Sequence, residues 1–133
     1  MSNIVINNKV VSFNNPNQII NMGGPWVGDL IIGNNLLMTN VVIDNLVYQP
    51  EYNKLLFVNY NNISKWLNDN YFTINYLDID RNEIFMFCKH YKIVYIEGFV
   101  DIDKFVIYNA FHNKDATKRM DINFEKKDFI LLK

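Results

Sequence analysis

Asp78, Asp80 and Asn82 alternate along the chain, a spacing that lets side-chain oxygens converge on a hard cation as at the opening of a calcium-binding loop. The remainder of such a loop is missing. Glu83 stands at the sixth position, where a sharp turn needs glycine, and Lys89 at the twelfth, where a bidentate carboxylate would close the shell. Residues 78–82 therefore read as a solvated hairpin loop, and no metal is expected. Cys88 and His90 are two apart, on one face if they lie on a strand, and a thiolate beside an imidazole is a nucleophilic pair. Side chains at that spacing point the same way but stand apart, and no third group orients the base. The expectation is a buried structural cysteine. His112 closes a strand and reads as a surface residue; two histidines cannot build a multi-histidine metal centre.

Gly23-Gly24-Pro25-Trp26-Val27-Gly28 has the glycine content of a phosphate loop but not its lysine, spacing or following helix. It reads as a tight turn delivering Trp26 to the core. Asn62-Ile63-Ser64 has the form of a glycosylation site, which carries weight only in a secreted chain. No catalytic set and no cofactor is expected.

Charge is more informative. Residues 67–103 carry seven carboxylates against three bases, a net of −4, whereas residues 104–133 carry seven bases against four carboxylates, a net of +3. Asp78, Asp80, Glu83, Asp101 and Asp103 would form an acidic loop set able to dock on a basic partner and speed its encounter. The alternative is a solvated surface whose opposite charges neutralise one another across neighbouring strands. The C-terminal bases are interspersed with acids and the whole chain carries −1, which argues against a nucleic-acid surface.

The elements that must carry these residues are short strands. Apolar and polar residues mix from Ile4 to Phe13 and stop at Asn14-Asn15-Pro16-Asn17, a turn cluster. Val27–Ile32 and Leu36–Tyr48 flank Gly33-Asn34-Asn35 as a hairpin with positive φ expected at Gly33 or Asn34, the long second arm breaking near Asp44-Asn45. Leu55–Tyr60 is a strand, Ile63–Leu67 one helical turn capped by Asn62, and Tyr71–Leu77 with Glu83–Lys89 a second hairpin around 78–82. Lys92–Glu97, Phe105–Phe111, Lys118–Phe124 and Phe129–Leu132 complete the series. Turn signals every roughly 8–12 residues, with no amphipathic helix between strands, predict an all-β fold: an antiparallel sandwich or barrel of nine or ten short strands with at most one short helix.

At 133 residues, 50% of them hydrophobic and 15% aromatic, the chain suits a single folded domain spanning 1–133. No apolar run approaches the roughly 18–20 residues of a membrane helix. The N-terminus lacks a signal-peptide pattern and the lone cysteine agrees with a reducing compartment, so a cytoplasmic location is expected. Asparagine, abundant and often paired, suits turns because it tolerates φ > 0; an AT-rich coding sequence would enrich it too.

In size, Asn-rich and aromatic composition and strand pattern, the chain resembles the small immunity proteins of bacterial toxin and immunity pairs. The resemblance rests on these features across the chain and not on a motif. It implies a non-catalytic protein that binds a cognate toxin domain and occludes its active site, through buried aromatics framed by charge. A small-ligand-binding β-barrel or sandwich is the alternative. The first expects an exposed patch of aromatics and acids, the second an interior cavity lined by Tyr and Phe.

Overall fold

The computed structural model describes residues 4–18, 25–61 and 71–132. They fall into two compact units, residues 1–44 and 45–133, and the fold is all-β. The described helical segments are single 3₁₀ turns at Pro50–Tyr52, Ala116–Lys118 and Lys126–Asp128. No helix among the described residues is long and apolar enough to cross a membrane. The helical turn expected at Ile63–Leu67 and the glycine pair Gly23-Gly24 lie outside the described residues.

The first unit holds β1 (Val5–Ile6), β2 (Lys9–Gln18), β3 (Trp26–Ile32) and β4 (Asn35–Val42), antiparallel neighbours in chain order. Where one opening strand was expected there is a hairpin. Asn7 and Asn8 have φ of 51° and 66°, both left-handed, as a two-residue turn needs if it is to match strand twist. β2 then runs through Pro16 instead of stopping. Its register shifts between Asn14 and Asn17, so Asn15 (φ 52°) and Pro16 sit in a bulge where the missing proline N–H costs no ladder bond. Gly28 faces that irregularity: a Cβ there would lie 2.9 Å from the Asn14 carbonyl oxygen, so β2 and β3 approach only because the side chain is absent. Gly33 turns the next hairpin with φ 62°, as expected, and the second arm ends at Val42, before Asp44-Asn45. Trp26, expected in the core, is 47% exposed; Val27, Leu30 and Val41 are fully buried instead.

The second unit is a two-layer sandwich. One sheet comprises β5 (Val47–Gln49), β6 (Lys54–Asn61), β7 (Tyr71–Asp78), β8 (Glu83–Phe87) and β12 (Phe129–Leu131); the other comprises β9 (Tyr95–Asp101), β10 (Lys104–Tyr108) and β11 (Arg119–Asn123). β6 and β7 pair without interruption from Lys54↔Asp78 to Asn61↔Tyr71. Leu55, Leu56, Phe57 and Val58 are fully buried in succession, which places apolar cover on both faces of β6. Asn45 ties the layers: its amide donates to the Ile96 carbonyl at 2.8 Å and its oxygen accepts from the Ile96 N–H at 2.7 Å, meeting both polar groups of a buried residue.

The described strands number twelve, more than the nine or ten expected, because a hairpin at Asn7-Asn8 divides the first strand and the long second arm yields two. Six non-glycine residues have positive φ (Asn7, Asn8, Asn15, Asn40, Asn53 and Asn82), and every one is asparagine. Asn7, Asn8, Asn53 and Asn82 lie in turns, the role expected of this residue, whereas Asn15 and Asn40 lie within β2 and β4.

Candidate functional site

The β7–β8 hairpin sets the site's first wall. Asp78 pairs with Glu83 across the hairpin, and Tyr76 with Phe85, so the two rings fall on one face two residues inward of the acids. They stack at 5.0 Å with planes 18° apart. From the opposite sheet's trailing segment comes Phe124, and from β12 comes Phe129, themselves nearly parallel at 5.6 Å and 19°. The second pair stands edge-on to Tyr76, Phe124 at 5.3 Å and 90°, Phe129 at 5.0 Å and 75°. Two ring pairs at right angles present both faces and edges, the arrangement that aromatic quadrupoles favour.

These four rings line a groove of about 350 Å³. Its rim is polar and of mixed sign: Asp78, Asp103 and Glu125 against Lys54, Arg81 and Lys126. Ile102, at the tip of the β9–β10 hairpin, forms an apolar lip and is 51% exposed. The Tyr76 hydroxyl is held above the usual phenol range, first by burial and then by the negative charge of Asp78.

Of the acids expected to bind a partner, Asp78 and Asp103 meet at this groove although they belong to different sheets. The other three are not among its lining residues. Asp80 accepts from the Asn53 amide at 3.0 Å, and Glu83 lies 4.0 Å from Arg81. Asp101 accepts from the Asp103 N–H at 2.8 Å, closing the β9–β10 turn. Asp78 also accepts from the Arg81 N–H at 3.3 Å, so the D-x-D-x-N stretch uses its oxygens on the hairpin itself. No cluster of three or more metal-ligating side chains occurs among the described residues.

Cys88 is exposed, not buried as expected, because β8 ends at Phe87 and the chain has already left the sheet. For the same reason Cys88 and His90 do not share a strand face; His90 stacks on Tyr71 at 3.9 Å. His112 is exposed as expected and accepts from the Lys114 N–H at 3.2 Å.

The aromatic members and Lys54 were not singled out by sequence reasoning. A signal for two of them was present: once 78 and 83 are paired, register alone puts Tyr76 opposite Phe85 beneath the acids. Phe124 and Phe129 come from segments whose place depends on the whole topology. No protein-family model, curated protein or solved structure matches this chain.

Proposed function

We propose that the protein is a non-catalytic binding protein that engages a partner protein through the groove end of its larger unit, in the manner of an immunity protein that binds and blocks a cognate bacterial toxin domain. The observation that carries this reading is a ring-floored groove with a mixed-charge rim and an exposed isoleucine on its lip. Interface hot spots have this composition: aromatic anchors in a pocket, enclosed by polar groups that exclude water. Rim charges of both signs favour a partner with a complementary pattern over a uniformly charged polymer.

The test is capture by the tagged chain from its native organism, alongside an Ile102→Asp, Asp103→Lys variant. One stoichiometric partner is expected, retained by the native chain, lost by the variant, and toxic in cells unless the native chain is co-expressed. A partner held equally by both, or no partner, overturns the reading. The groove's volume also suits a small ligand, since such sites begin near roughly 300 Å³. That second reading expects additional mass on the freshly purified protein in native mass spectrometry.

A further inference from the structure

Lys54 and Asp78 are direct cross-strand partners at the end of β6 and β7, the placement from which a lysine and an aspartate ordinarily form an ion pair. No such pair forms within 4.0 Å. The Lys54 ammonium lies over the ring of Phe124, 5.2 Å from its centroid. Half-buried, it takes the face of a groove ring in preference to the carboxylate opposite. The ring's quadrupole attracts a cation at this distance.

The groove keeps its volume with Lys54 in this position, and the negative charge beside it is not consumed. Among the described residues no cation stands within 4.0 Å of the Asp78 or Asp103 carboxylates. Glu125 is engaged by Lys127 at 3.4 Å, and Arg81 leans toward Glu83. Rings set face and edge, with two carboxylates at the mouth that are in no ion pair among the described residues, are complementary to a positively charged side chain with an aliphatic stem.

We infer that the groove receives a lysine side chain of the partner protein, and that Lys54 holds this place in the free protein and yields it on binding. The inference rests on the proposed reading of the groove as a partner site and names what enters it. Ile102 packs on the incoming stem, Phe124 and Tyr76 face the ammonium, and Asp78 and Asp103 neutralise it.

The test titrates the purified chain with N-acetyl-lysine methylamide and with its uncharged counterpart N-acetyl-norleucine methylamide, following the ring resonances of Tyr76 and Phe124 by NMR. Saturable shifts are expected with the lysine derivative and only weaker ones with norleucine. Lys54→Met, which keeps the stem and removes the competing charge, should tighten lysine binding by about threefold to tenfold, the span of one cation–ring contact. Asp103→Asn, at an exposed position, should weaken it severalfold. Equal binding of norleucine, or no tightening in Lys54→Met, overturns the inference. The two readings fail separately: if partner capture depends on Ile102 and Asp103 while the lysine derivative does not bind, only the cation is wrong; if capture ignores those residues, the groove is not the partner site.

Discussion

The β6–β7 ladder and the β9–β10 hairpin are both antiparallel pairs of the larger unit, and they solve different problems. β6 and β7 run in unbroken register over eight pairs, with Leu55 to Val58 and Phe72 to Asn75 buried in succession. A slip in such a ladder would break the match between the two buried runs and carry polar ends of the strands into the core. β9 and β10 shift register twice, between Lys104 and Phe105 and between Val106 and Ile107, and end in exposed Val100 and Ile102. Bulges re-aim side chains, and here they accompany the hairpin that carries Asp103 and the apolar lip to the groove. The comparison separates a scaffold, where regular pairing is invested in stability, from a presenting element, where irregular pairing is invested in direction.

The largest expected effect falls on the scaffold. Phe57→Ala empties a fully buried position of β6 and should lower unfolding free energy by about 3–5 kcal/mol, read from urea denaturation. A cost below about 1 kcal/mol would mean that the ladder is not the stabilising half. Asn45→Ala tests the tie between the layers. It leaves the Ile96 N–H and carbonyl buried without partners and should cost about 2–3 kcal/mol, with faster amide exchange at Ile96 than at Phe57.

Gly98→Ala probes the bulge itself. Space is available, as a Cβ would meet nothing within 4 Å, but φ of 156° disfavours a side chain, so a loss of about 1–2 kcal/mol should come from the backbone alone. An unchanged midpoint would show that the bulge relaxes freely.

The smallest effect is expected at Tyr91, bridged to Phe72 at the far end of β7, whose buried hydroxyl has no hydrogen-bond partner among the described residues. Burial, with a smaller contribution from Cys88, pushes this phenol up to about 12. Between pH 10 and 12 the unfolded chain releases this proton and the folded chain keeps it, so folding weakens as pH rises through that window. Tyr91→Phe should flatten that alkaline decline and, at neutral pH, hold or raise stability by up to about 1 kcal/mol. A steeper decline in the variant would contradict the assignment.

What was legible in the sequence follows the range of the interactions. The hairpins around Gly33 and residues 78–82 are local, signalled by turn residues between apolar runs, and they stand where expected. The Asn7-Asn8 turn was masked by continuous strand-like residues, and Pro16 reads as a stop unless a bulge accommodates it. Trp26, expected to be delivered to the core by the turn before it, stands at the start of β3 and is exposed. At the groove, charge made Asp78 and Asp103 visible. Phe124 and Phe129 were indistinguishable from core aromatics until the layers were assembled.

The six left-handed asparagines amount to an unspent allowance for engineering and for evolution. Each occupies a conformation that glycine adopts without strain, and Asn7, Asn8, Asn15 and Asn40 lie outside both the buried ladder and the groove. Glycine introduced at these positions one at a time would relieve the left-handed strain at each while the unbroken β6–β7 ladder keeps its register.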